Sequence, residues 1–243
     1  MRLFTFAKRN FLEIVRDPLN LSFLFGFPIV LLLLLSAIQA NIPVEMFAIE
    51  HLAPGVAVFG LSFMTLFSAT LIAKDRQSSF MHRLYTTPMT PVDFILGYTL
   101  PLIPIAFIEG IVTYIFAVIL KLEVNINIFL SILFIIPTAL LYIGLGLLAG
   151  SLFNDKQVGG ICGALLTNLS AWLSGIWFDL DLVGGAFKKI AYALPFVHSV
   201  EMQRAVTRGD YAGIFPHLGW VLGYTAVILA LAVFVYLRQM KKQ

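Results

Sequence analysis

LAPGVAVFGLSFMTLFSATLIAKDRQSSFMHRLYTTPMTP, Leu52–Pro91, joins two opposites. Its first 22 residues, Leu52–Ala73, carry no charge. A helix of that length crosses the roughly 30 Å hydrocarbon core of a bilayer. The remainder carries Lys74, Asp75, Arg76, His82 and Arg83, several hydroxyls, and Pro88 and Pro91. Such a segment belongs in water. The fold therefore turns on how often this alternation recurs.

It recurs along the whole chain. Leu19–Ala40, Leu52–Ala73, Phe94–Leu120, Val124–Phe153, Gln157–Phe178 and His217–Leu237 are apolar, and only Glu109 interrupts them. The chain has 243 residues, 60% hydrophobic and 12% charged, with a mean hydropathy of +0.93. Soluble domains carry about twice that charge, so a soluble fold is excluded. The expectation is an all-α membrane protein, one domain over 1–243, with six spans at 19–40, 52–73, 94–120, 124–153, 157–178 and 217–237.

An even number of spans puts both termini on one side. With both termini cytoplasmic, the inside holds eleven Lys and Arg, from Arg2 through Arg76 and Lys156 to Lys242. The outside holds Lys121, Lys188, Lys189, Arg204 and Arg208. Four of these lie in one long loop, where the positive-inside rule is weak, so the reading is N-in and C-in. Met1–Pro18 is too charged for a signal peptide.

On a helical wheel, Leu3, Phe4, Ala7, Phe11, Ile14 and Val15 share one face. Arg2, Thr5, Arg9, Glu13 and Arg16 lie opposite, while Phe6 and Asn10 fit neither. The spacing predicts an amphipathic interfacial helix over 1–18, stopped by Pro18. Between spans two and three, Lys74–Tyr85 is expected as a cytoplasmic helix with Phe80, Met81 and Leu84 on one face and Arg76 and Arg83 on another. Held between two spans, it is a lever on both.

The outer loop 179–216 is expected to hold short helices that dip into or lie on the membrane, including Ser199–Arg208 stopped by Gly209. Pro195 interrupts the apolar run Ile190–Val200. Trp172, Trp177 and Trp220 are placed as interfacial anchors. The pairs Gly146/Gly150, Gly159/Gly163 and Gly219/Gly223 allow close helix contact within the chain or with a second copy. The lone Cys162 reads as a small buried residue.

No phosphate loop, HExxH, GxSxG or CxxC is present, and the four histidines are far apart in sequence. No catalytic residue and no metal ligand set is assigned. Glu109 is the one charge inside a span. It faces either a cavity or a hydroxyl on a neighbouring helix. Phe59, Phe63 and Phe67 form an i, i+4, i+8 stripe that serves plain packing or an amphiphilic substrate.

The stretch Asp75–Pro91 resembles the signature of the type-2 ATP-binding-cassette (ABC) exporter permeases. Asp75 and Arg76 match its acid–Arg pair, and Leu84, Thr87, Pro88, Met89, Thr90 and Pro91 match its tail. Ser79 stands where the family usually has Gly. The resemblance extends to Arg16-Asp17-Pro18, the six spans and Leu194-Pro195 in the broken outer segment.

The resemblance implies a permease that hydrolyses nothing itself. It would pair with a second permease copy or paralogue and with two separate ATPase subunits, which hold ATP and Mg. It assigns ATPase contact to Asp75, Arg76, Arg83, Leu84, Thr87 and Pro88, to Arg9 and Arg16 in the N-terminal helix, and to Asp155 and Lys156 between spans four and five. Phe59, Phe63, Phe67 and Glu109 are the candidates for the substrate path. The cargo class is a small amphiphile, such as a drug, antibiotic, peptide or lipid, exported across a bacterial plasma membrane. Two other readings stand beside it: a standalone secondary transporter or channel using Glu109, and a non-transporting membrane subunit.

Overall fold

The computed structural model describes residues 2–43, 45, 47–78 and 90–240. All regular structure among them is helical. Helix α1 is Arg2–Val15. Asp17 then caps the next helix by accepting from the Asn20 N–H at 3.1 Å, with Pro18 in its first turn. That helix, α2, runs Pro18–Gln39. Ser22–Gly26 within it is wound as π-helix, just before Pro28, which has no N–H to give the preceding turn.

Helix α3 is Ile49–Gln77. It continues through Lys74, Asp75 and Arg76 and stops at extended Ser78 (φ −96°, ψ 160°). Lys74–Gln77 thus belongs to the span itself, which corrects the expectation of a separate helix starting at Lys74. The rest of that lever, Arg83, Leu84, Thr87 and Pro88 included, lies outside the described residues.

Helix α4 (Pro91–Thr99) and α5 (Leu102–Ile119) make one kinked span, with the break at Pro101. Thr90 and Asp93 form a capping box at its start. Helix α6 is Ile126–Leu152. Helix α7 covers 155–172, with Gly159–Leu166 wound as π-helix around three glycines, and leaves the helical path before Trp177. Short helices α8 (Leu180–Val183) and α9 (Gly185–Ala193) lead into α10 (Pro195–Arg208) and α11 (Tyr211–Met240).

Five helices are long and apolar enough to cross a membrane among the described residues: α2, α3, the α4–α5 pair, α6 and α11. The stretch expected as a fifth span is the broken helix α7. Pro195 starts α10 rather than only interrupting a run, and Pro216 lies inside α11 rather than before it. Pro195 takes the first helical position of α10, where an N–H would have no intrahelical partner in any case.

The bundle is built around α3. Of its most apolar window 89% is buried, against 17% for α2 and 22% for α11, which therefore face the surroundings. Helix α6 meets α3 backbone to backbone. A Cβ on Gly146 would collide with Ser68, and one on Gly150 would lie 2.6 Å from the Ala69 carbonyl oxygen. Thr65 Oγ1 donates across the seam to the Tyr142 carbonyl at 2.9 Å. A Cβ on Gly219 or Gly223 would meet nothing within 4 Å among the described residues.

Helix α10 packs on α3, α6 and α11. Gly209, at φ 77°, ends it in the left-handed region and turns the chain into α11 beside Asn127 at the start of α6. Fourteen residues span about 20 Å, so the other end of α10 reaches mid-bundle, where Phe196 stacks on Tyr142 (6.1 Å). The segment expected to dip into the membrane does enter the bundle.

Candidate functional site

The two residues that fit neither face of α1, Phe6 and Asn10, are those it buries in the protein, together with Ile14. They recur every four residues and form a seam of their own. Phe6 sits where a Cβ on Gly97 would be, and meets Tyr98 edge-on at 4.9 Å. Asn10 Nδ2 donates to the Gly97 carbonyl at 2.9 Å. Phe4, 72% exposed, and Val15, 44%, remain on the outer face. One helix therefore holds an exposed apolar face and a docking seam.

The seam brings Arg9 to Asp75. The Asp75 carboxylate, only 2% exposed, accepts Arg9 Nη1 at 2.5 Å and Nη2 at 2.7 Å, and the Tyr98 hydroxyl at 2.7 Å. Arg9 also pairs with Glu13 at 2.6 Å and donates to Asn10 Oδ1 at 2.9 Å. Burial alone would lower the Arg9 guanidinium, but the Asp75 hydrogen bond and charge outweigh it, so its pKa is raised. The two-pronged contact fixes α1 to the end of α3 in orientation as well as distance. Beneath it, Phe94 meets Tyr98 at 4.8 Å and stacks on Tyr236 at 3.8 Å, which adds α4 and α11 to the same end.

Arg76 turns the other way. Its Nη1 donates to the carbonyls of Gly150 (2.8 Å) and Phe153 (3.3 Å), at the C-terminus of α6, where a cation is favoured. Asn154 and Gln157 then form a capping box that starts α7. The half-buried Asp155 and exposed Lys156 sit in that turn. The structure thus gathers Arg9, Asp75, Arg76, Asp155 and Lys156 around one end of α3. Arg16 is exposed just beyond the end of α1 and is not one of this group.

The other candidates lie elsewhere. Phe59, Phe63 and Phe67 are buried. Phe59 packs on Phe27 (5.8 Å) and Trp177 (5.5 Å), and Phe63 on Phe27 (5.8 Å) and Phe23 (6.3 Å). In the single chain the stripe is covered by α2. Glu109 is fully buried in α5 against Gly60 and Pro28. Its Oε1 accepts from Thr113 at 2.9 Å, and its Oε2 has no hydrogen-bond partner among the described residues.

Tyr98 and Asn10 were missed in the sequence. Tyr98 carries no periodic signal, whereas Asn10 was visible as an outlier on the wheel. The histidines, far apart in sequence, also meet in part: His198 Nδ1 and His217 Nδ1 lie 2.9 Å apart.

A family model described as ABC-2 type transporter matches residues 1–207, from α1 almost to the end of α10. No curated protein sequence matches the chain.

Proposed function

The chain belongs to the ABC-2 type transporter family, and on that premise we propose that it is the permease half of an ATP-driven exporter, coupled at the Asp75 end of α3. It is a multi-pass membrane protein and the permease component of an ABC transporter, a kind of protein that works with ATP-binding-cassette subunits. The finer reading is this. Two ATPase subunits dock on the cytoplasmic side against the segment following Ser78, α1 and the Asp155–Lys156 turn, and ATP and Mg stay with those subunits. The chain itself catalyses nothing, and a second permease completes the path. The cargo is a small amphiphile moved outward.

The observation that supports this reading is the Arg9–Asp75–Tyr98 cluster beside Arg76. A push there meets α1 through an ion pair, α6 through a capped terminus and α4 through a hydroxyl. Helix α3 is about 42 Å long at 1.5 Å per residue. It meets α6 along a close seam, where Gly146 and Gly150 leave room only for the small Thr65 and Ser68 side chains and the α3 backbone. Motion at one end is therefore carried across the bundle by packed helices rather than by loops.

The test is ATP hydrolysis in eluates of the affinity-tagged chain taken from its native membrane. The intact chain is expected to bring ATPase activity with it. A Leu84→Asp, Lys156→Glu variant is expected to lose at least tenfold of that activity while eluting as the same folded species. If the intact chain brings none, the exporter reading fails. The secondary transporter built on the uncompensated Glu109 then leads, since such a protein works when expressed alone.

A further inference from the structure

A cavity of about 570 Å³ opens at the far end of α3 from Asp75, between the start of that helix, residues 174–182, and α9–α10. Its volume suits a drug-sized molecule. We propose that it is a binding site for amphiphilic organic cations.

The walls are of two kinds. Ile176, Phe178, Leu182 and Val197 supply apolar surface. Facing them are Glu45, Asp179 and Glu201 with Arg204 and Arg208, three carboxylates against two guanidiniums. The Arg204 guanidinium is committed to the protein, and Arg208 is tied to it more loosely. Arg204 donates through Nη1 to Glu201 (2.8 Å), through Nη2 to the Gly175 carbonyl (3.0 Å) and through Nε to the His51 carbonyl (3.4 Å). Arg208 donates Nε to the Arg204 carbonyl (3.2 Å), and its Nη2 lies 3.7 Å from Glu201 Oε2. Those contacts consume Glu201 as well.

The remaining charge is negative. Glu45 is exposed and has no ion pair among the described residues. Asp179 spends Oδ1 on capping α8, accepting from the Asp181 N–H at 2.9 Å, which leaves Oδ2 for a ligand. Lys188, whose Nζ lies 5.7 Å from the Tyr192 ring centroid, is paired with Asp181 and so adds no net charge beside the cavity. A hydrophobic cation would place its apolar body against Phe178 and Val197 and its charge toward Asp179 and Glu45. An anion of the same shape would meet two carboxylates, with only the exposed Arg208 to answer it.

That the cavity is a station on an export route rests on the transporter reading. Its occupancy does not, and the experiment separates the two because it uses the chain alone. The purified chain in lipid nanodiscs is dialysed to equilibrium against tetraphenylphosphonium. Tetraphenylborate, equal in shape and opposite in charge, is run in parallel, and empty nanodiscs are subtracted. Saturable phosphonium binding at least tenfold tighter than borate binding is expected. A Glu45→Gln, Asp179→Asn variant is expected to weaken phosphonium binding about tenfold, since charge is removed while asparagine still caps α8. Should the double variant unfold, Glu45→Gln alone, an exposed position, is expected to weaken binding in the same direction. Borate binding as tight as phosphonium, no saturable phosphonium binding, or folded variants that bind unchanged would each overturn the site, whatever ATPase the chain carries.

Discussion

At one end of α3, Arg9 closes on a carboxylate that is 2% exposed and shares it with a tyrosine. At the other end, Arg204 reaches two main-chain carbonyls and a glutamate at the rim of a cavity of about 570 Å³. Both arginines tie neighbouring helices to the same rod. The first tie gathers side chains from four helices around a buried carboxylate, with Arg9 partly exposed, so displacement of one element strains the others. The second leaves space beside it and unspent negative charge. A rod closed at one end and open at the other suits a protein pushed where it is closed and loaded or emptied where it is open.

The largest effect is expected at the closed end. Asp75→Ala leaves the Arg9 guanidinium and the Tyr98 hydroxyl without their shared acceptor. Breaking a buried pair costs about 3–5 kcal/mol, reduced here to about 2–3 kcal/mol because Arg9 is partly solvated. In a cycle with Arg9→Ala, read by thermal or denaturant unfolding in detergent, the two changes should couple by about 1–2 kcal/mol. Coupling near zero would mean that α1 merely rests on the bundle, and the contrast between the ends would dissolve.

The α3 span was legible because its apolar length and the charges after it are local facts. So was the helix α1. Its wheel failed at Phe6 and Asn10 because it assumes one apolar side, whereas α1 also docks on Gly97. The Arg9–Asp75 pair joins residues 66 apart in sequence, and no periodicity encodes such a meeting. The family resemblance names both residues as contacts for a partner, not for each other. The outer cavity was invisible for a related reason. Its lining is drawn from the start of α3, the loop after α7 and α10, which come together only when α10 folds back into the bundle.

A smaller effect is expected at the open end. Arg204→Lys keeps the charge but replaces a planar fork by a single ammonium, which cannot serve Glu201, Gly175 and His51 at once. The expected loss is about 1–2 kcal/mol in the same unfolding assay, below that of Asp75→Ala. If Arg204→Lys proves the costlier change, the outer end is the structural anchor and the assignment of roles to the two ends must be exchanged.

The smallest effect is a pH dependence confined to the α10 side. His198 Nε2 lies 3.0 Å from the Tyr192 carbonyl, which can only accept, so Nε2 carries the hydrogen and Nδ1 is left to accept from His217 Nδ1 at 2.9 Å. A proton added to His198 Nδ1 removes that acceptor and forces the His217 hydrogen off Nδ1. Burial, reinforced by His217, holds His198 below its ordinary value of 6.5, against the opposing influence of the Tyr192 carbonyl and Glu201. The unfolded chain therefore binds the proton more readily than the folded one. Stability is full above pH 6.5 and falls as the pH drops from there through the lowered folded value. In unfolding midpoints measured from pH 7.5 to 5, His198→Gln should flatten that slope, whereas Asp75→Ala should lower every midpoint and leave the slope in place. A slope that survives His198→Gln would move the titrating group elsewhere. A slope that disappears with Asp75→Ala would mean that the two ends of the molecule unfold as one unit and cannot be compared separately.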